Sequence, residues 1–234
     1  MNIIFITDSL MMLREWDNIS LEDSYGYLLY QHYLKEKKEW NIILRPLRLN
    51  HTVCQAHPDH LVYDVKLARP DIVFIHLGIV DCAPRLFYQI EDILINRLST
   101  SMKENLLTFF SKRRRFFTQH FPKVYVPIKD FEYYYEVILK AIVELNAVPV
   151  IINIAKTNKR NESRSYNFQK NIQDYNAVLL KLSKKYKCRL IDVYKETEKN
   201  EKYLLPEGIH LSKLGNKRMT QIIIDNIEQI TKKE

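Results

Sequence analysis

Short apolar runs alternate with longer amphipathic stretches along this chain. Residues 2–6 form an isoleucine-rich run that ends at Thr7, Asp8 and Ser9, the pattern of a buried strand entering a polar loop. Over residues 23–37, Tyr27, Leu28, Tyr30, Tyr33 and Leu34 recur at three- and four-residue steps and predict a helix. Residues 41–49 predict a second strand, and residues 57–69, opened by Pro58, a second amphipathic helix. The strongest strand signal is residues 71–77, closed by Gly78. Further strands are expected at 148–154 and 188–193, and a polar segment at 156–165. Long helices are expected near 168–185 and 213–231, the last carrying Met219, Ile222, Ile223, Ile227 and Ile230 on one stripe. Strands alternating with helices predict a three-layer α/β/α sandwich around a mostly parallel five-stranded sheet.

Residues 82–147 exceed the dozen or so that a parallel crossover needs. A helical insertion is therefore expected there, within a single domain spanning 1–234 and suited to a lid or a partner surface. It contains Phe109 and Phe110, the basic run Lys112 to Arg115, Phe116 and Phe117, and the tyrosines 133–135. No repeat, low-complexity tract or linker divides the chain.

Composition narrows the function classes. Only four glycines occur, at 26, 78, 208 and 215, where average usage would give roughly sixteen. Their spacing excludes the dinucleotide fingerprint, the phosphate-binding P-loop and the α/β-hydrolase nucleophile elbow. Lys and Arg number 36 against 28 Asp and Glu, a net charge of +8 that favours anionic partners. Cys54, Cys82 and Cys188 form no disulfide framework or metal spacing, and a reducing compartment is expected. The first residues lack a basic leader and an apolar span, so the expected location is cytoplasmic, at most peripheral to a membrane. His32, His51, His57, His60, His76 and His120 show no metal-ligand spacing, and no metal is expected.

The candidate chemistry lies at two distant points. Ser9 follows the first strand, and His210 precedes the last helix. In a parallel sheet both fall at or above the carboxyl ends of strands, where ligands bind. Glu207 stands three residues before His210, a spacing that can bring its carboxylate to Nδ1 and leave Nε2 free to take the serine proton.

These blocks resemble the SGNH/GDSL hydrolase family. Its Gly-Asp-Ser-Leu nucleophile motif is matched by Thr7-Asp8-Ser9-Leu10, its late Asp-x-x-His by Glu207-Gly208-Ile209-His210, and its Gly-x-Asn-Asp block by Gly78-Ile79-Val80-Asp81. The resemblance implies a flavodoxin-like SGNH fold and a serine-dependent esterase or O-acyltransferase. Ser9 would carry the acyl group, His210 would act as general base and then acid, and Glu207 would orient it. Asp8, Gly78 and Asp81 would support the site. The family holds the oxyanion with the serine N–H, a glycine after strand two and the asparagine of the third block. Here Asn50 stands after strand two and Val80 replaces the asparagine; a backbone N–H after strand two does not require glycine and remains a candidate donor, and Asn50 and Asn153 are candidates to present a side-chain amide. Arg85 is a candidate for binding an anionic substrate, with a surface salt bridge the more ordinary use of such a residue.

The implied substrate is an acetyl group on a carbohydrate, and the positive charge extends this to an anionic surface polysaccharide. No cofactor is required, acetyl-CoA being a possible donor for a transferase, and nucleic acid is not an expected partner. The alternative class is a catalytically impaired SGNH-fold binding protein that uses the basic aromatic insert to hold an anionic polymer or partner.

Overall fold

The structure is a computed structural model that describes residues 1–232. Strand β1 (Asn2–Thr7) lies between β2 (Asn41–Pro46) and β3 (Ile72–His76). Next come β4 (Val148–Ile152) and β5 (Arg189–Ile191), all parallel in the order β2-β1-β3-β4-β5. Helix α1 (Tyr25–Lys35) joins β1 to β2, and the single turns α2 (Thr52–Gln55) and α3 (Pro58–His60) lie between β2 and β3. After β3 come α4 (Ile79–Cys82), α5 (Gln89–Ile95), α6 (Thr100–Lys112), α7 (Arg114–His120) and α8 (Ile128–Val143). Helices α9 (Lys159–Arg164) and α10 (Phe168–Lys185) follow β4, and α11 (Val193–Lys199) and α12 (Lys213–Thr231) follow β5.

A parallel sheet is covered on both faces, so its strands read as apolar runs rather than as alternation. Residues 3–6 of β1 and 73–75 of β3 are fully buried. Ile4, Ile6, Val73, Ile75 and Ile151 face α8 and α10, where Phe131, Tyr135, Ile138, Leu139, Ile172 and Leu179 complete one core. Ile3, Phe5, Ile72, Phe74, Val150 and Ile152 face the other way, toward Tyr25 and Leu29 of α1 and Met219, Ile223 and Ile227 of α12. Phe5 and Phe74 stack across the strand pair at 4.6 Å. This three-layer arrangement is the one the hydrophobic pattern predicts.

Two predicted elements differ. The second strand stops at Pro46 rather than 49, because proline has no N–H for the ladder and Leu49 takes a left-handed φ of 60°. The helix expected over 57–69 is three turns of different pitch, and Arg69 ends it at φ 45°. Within 82–147, α8 packs into the core, whereas α6 has no buried residue. The material added to the sandwich is thus α5 to α7. No helix among the described residues is long and apolar enough to cross a membrane.

The sheet order reverses at β1, whose successor in sequence lies on one side and β3 on the other. The crevice beyond the carboxyl ends of β1 and β3 is therefore the place where such a sheet binds ligands. Ser9 follows β1 and Gly78 follows β3 there.

Candidate active site

Asp8 opens the turn that carries Ser9. Its Oδ1 accepts the Leu10 N–H at 2.8 Å, and the chain folds into a tight helical turn over Ser9–Met11. A short polar residue suits that position because its oxygen satisfies an amide that the turn leaves unpaired. On the other side, residues 204–211 fold back on themselves, with the Leu205 N–H on the His210 carbonyl at 2.8 Å and the Gly208 N–H on the Leu205 carbonyl at 2.8 Å. Gly208 sits at φ 77°, and a Cβ there would meet the Asn158 side chain, so glycine is required on both counts.

The two segments meet. Ser9 Oγ lies 3.0 Å from His210 Nε2, and His210 Nδ1 lies 2.5 Å from Glu207 Oε1. With a carboxylate on Nδ1, that nitrogen carries the proton and Nε2 presents its lone pair to the serine. The same carboxylate accepts the backbone N–H groups of His210 at 2.9 Å and Ile209 at 3.0 Å. Burial works to raise the Glu207 pKa, but the bonds and charge of His210, aided by Arg14, outweigh it and hold the carboxyl below its ordinary value. The carboxylate thus stays ionised to orient the imidazole.

The segment after β4 clamps this loop. Thr157 Oγ1 donates to the Gly208 carbonyl at 3.0 Å, Asn158 Nδ2 to the Pro206 carbonyl at 2.9 Å, and Asn161 Nδ2 to the Glu207 carbonyl at 2.7 Å. These three residues lie in the polar segment 156–165, whose asparagines were the only sequence signal for them. Arg14 is a further site residue that sequence reasoning missed. Its Nη1 lies 3.0 Å from His210 Nε2, its Nε pairs with Asp17 Oδ2 at 2.8 Å, and its guanidinium sits 5.2 Å from the Trp16 ring centre. No motif marks it, because only the fold of the turn after Ser9 returns it to the histidine.

The expected oxyanion amides are placed otherwise. Asn50 is buried, but its Nδ2 donates to the Thr7 carbonyl at 3.2 Å and to Gln55 Oε1 at 3.0 Å, so it braces β1 instead of presenting to the site. Asn153 donates to Asp192 at 2.9 Å and accepts from the Tyr194 N–H at 3.0 Å, so it ties β4 to the end of β5. After β2, the amides of Leu47 and Asn50 are taken by the Thr7 and Leu47 carbonyls. Of the donors expected, the Ser9 N–H is retained, whereas Val80 has no side-chain donor to offer.

The supporting residues form the floor. Gly78 has φ 128°, and a Cβ there would lie 2.8 Å from Ile154 Cδ1. Asp81 Oδ1 accepts the Thr52 N–H at 2.9 Å and hydroxyl at 2.6 Å, linking α4 to α2. Burial raises the Asp81 pKa to about 6, and it raises that of fully buried Asp8 to about 7, with the charge of Asp81 adding to the shift. His76, beneath the site, bonds Tyr25 Oη at 3.0 Å and is held neutral, its pKa pushed down to about 3 by burial. Arg85 is half-buried, donates Nη2 to the Val80 carbonyl at 3.0 Å and stacks 4.1 Å from the Tyr125 ring centre. It makes no surface ion pair among the described residues. No cluster of three or more His, Cys, Asp or Glu among those residues is arranged to hold a metal ion.

No family model and no curated protein sequence matches the chain. Solved structures do. The chain superposes on a lipase/acylhydrolase from Enterococcus faecalis with a TM-score of 0.67 at 15% identity, covering 97% of this chain and 95% of that one. It superposes on the acetyl xylan esterase AlAXEase with a TM-score of 0.67 at 18% identity, covering 97% and 100%. An acetylxylan esterase of Geobacillus stearothermophilus gives 0.63 at 14% identity, covering 97% and 93%. At these identities the likeness establishes the fold: this chain has the α/β/α architecture of these acylhydrolases and esterases, over nearly its whole length.

Proposed function

We propose that the chain is an SGNH/GDSL-type carboxyl-ester hydrolase that works through an acyl-enzyme on Ser9. The Ser9–His210–Glu207 relay, at 3.0 and 2.5 Å, carries this reading. His210 Nε2 takes the hydroxyl proton as Ser9 Oγ attacks the ester carbonyl, and the tetrahedral intermediate collapses as the imidazolium returns that proton to the departing alkoxide. Water attacks the acyl-enzyme in the second half, again with His210 as base. Acetyl esters of a carbohydrate are the substrate class we favour, because two of the structural neighbours are acetylxylan esterases. If a sugar hydroxyl replaces water, the same groups perform O-acetyl transfer, with acetyl-CoA or another activated acetyl compound as donor.

A second reading has specific support. Val80 stands where the family's asparagine donor belongs, and the Arg14 guanidinium shares the lone pair that Ser9 needs. Losing one oxyanion donor costs about 2.7–4 kcal/mol of transition-state stabilisation. A slow or inactive SGNH-fold binding protein would show that deficit. Purified protein treated with a fluorophosphonate and assayed on 4-nitrophenyl acetate separates the two: the enzyme reading predicts labelling and turnover that both vanish in Ser9→Ala. A wild type that behaves like Ser9→Ala in both assays supports the binding protein. Labelling without hydrolysis points to a transferase awaiting its acceptor.

A further inference from the structure

A cavity lies beside the relay. It has a volume of about 190 Å³ and is walled by Arg85, Arg114, Arg164, Asn161, Ser165 and Ile209, among others. Its walls come from the segments that follow β3 and β4 and from the loop that carries His210, so it opens on the functional edge of the sheet. Ile209 immediately precedes the histidine.

Three guanidinium groups line one small space, and none has a carboxylate within the 4.0 Å of an ion pair among the described residues. Two are fixed by neutral acceptors. Arg114 donates Nε to Ser165 Oγ at 2.7 Å and Nη2 to the Pro84 carbonyl at 2.5 Å, and Arg85 is held by the Val80 carbonyl and the Tyr125 ring. Arg85 Nε is buried without any hydrogen-bond partner. The carboxylates that reach Arg85 by charge alone are engaged elsewhere, Asp81 with Thr52, Asp8 with Leu10 and Asp92 with the Tyr125 hydroxyl at 3.0 Å. Burial, followed by the charges of Arg85 and Arg164, lowers the Arg114 pKa, which shows the cations acting on one another. Three guanidinium groups facing one space, none paired with a carboxylate, form a site for an anion, and their planar donors match carboxylate and phosphate oxygens.

We infer that this cavity is a subsite for a carboxylate or phosphate group carried on the alcohol portion of the ester, an inference that rests on the esterase reading for the identity of its ligand. The side is set by the chemistry. His210 returns its proton to the leaving alkoxide, so the alcohol portion lies on the histidine side of Ser9, where Ile209 opens into the cavity. The substrate class is therefore an acyl ester of an acidic sugar or sugar phosphate.

Arg164 is exposed and makes no hydrogen bond that the fold depends on, so it is the position to change. Thermal unfolding of Ser9→Ala protein is followed with inorganic pyrophosphate against sodium chloride of equal ionic strength. The expected result is a pyrophosphate-specific rise in Tm that shrinks in Ser9→Ala/Arg164→Gln and disappears in Ser9→Ala/Arg164→Glu. With Ser9 intact, kcat/KM for 4-acetoxybenzoate should exceed that for neutral 4-acetoxybenzamide by roughly tenfold, as one charge-assisted contact implies, and Arg164→Glu should abolish the preference. No specific rise in Tm, or a rise that Arg164→Glu leaves intact, overturns the subsite whether or not esters are cleaved. An Arg164-dependent rise with neither ester cleaved keeps the anion site and removes the hydrolase reading.

Discussion

Two donors converge on one lone pair at His210 Nε2. Ser9 Oγ and Arg14 Nη1 both lie 3.0 Å from it, and a neutral imidazole with its proton on Nδ1 can accept only one strong hydrogen bond there. On the proposed mechanism the guanidinium has to leave before Ser9 can surrender its proton. Arg14→Ala should therefore label with fluorophosphonate several-fold faster than wild type, the gain expected from removing one charge-assisted competitor. A slower rate would instead assign Arg14 to the reaction itself. Glu207→Ala should lower kcat by roughly 10²- to 10⁴-fold while KM changes little, since the carboxylate's bonds are to the imidazole and to the amides of its own loop. Unchanged turnover would remove it from the relay. The serine, histidine and glutamate were legible because each occupies a short motif at a strand or helix boundary. Arg14 was not, because its role depends on a chain reversal over Leu10 to Ile19 that no motif encodes, closed by paired Arg14 and Ile19 backbone groups at 2.8 and 3.0 Å.

At the scale of elements, the loop that presents Glu207 and His210 depends on the segment after β4. Asn161 holds the Glu207 carbonyl and, through Thr157 Oγ1, the contact to Gly208. Asn161→Ala should lower kcat for 4-nitrophenyl acetate, which carries no anionic group for the neighbouring arginines, more than it raises KM, the signature of a positioning residue. Gly208→Ala combines a strained φ with a collision against Asn158 and should cost about 1–3 kcal/mol in stability, read from chemical denaturation. Helix and strand positions were mostly legible, because burial on both sheet faces writes itself as apolar runs and the long helices as single stripes. The turns over 57–69 were not, since a repeating apolar stripe does not distinguish a regular helix from successive turns of different pitch. The side-chain amides of Asn50 and Asn153 also could not be placed from sequence, because an asparagine at a strand end serves a backbone carbonyl as readily as a ligand.

The whole molecule carries a pair of buried carboxyl groups under the Ser9–His210 pair. The folded-state pKa of Asp8, about 7, lies above the ordinary value, so the folded protein binds more protons than the unfolded chain between roughly pH 4 and 7. Its contribution to stability is complete below the unfolded pKa and is lost as pH rises through 7; Asp81, at about 6, acts in the same direction. Asn at position 8 keeps the acceptor for Leu10 without the titration. The stability of wild type relative to Asp8→Asn should therefore fall by about 2–3 kcal/mol between pH 5 and 8, measured by denaturant unfolding at each pH. A flat difference would show that Asp8 is ionised throughout.

The catalytic expectations, for Arg14, Glu207 and Asn161, depend on whether Ser9 is a nucleophile. Intact-mass spectrometry after fluorophosphonate treatment of wild type, Ser9→Ala and His210→Ala protein tests this most directly. Wild type should carry a single adduct, mapped to Ser9, with none on Ser9→Ala and a greatly slowed reaction on His210→Ala. Wild-type protein that stays unmodified, or an adduct that persists in Ser9→Ala, would contradict it.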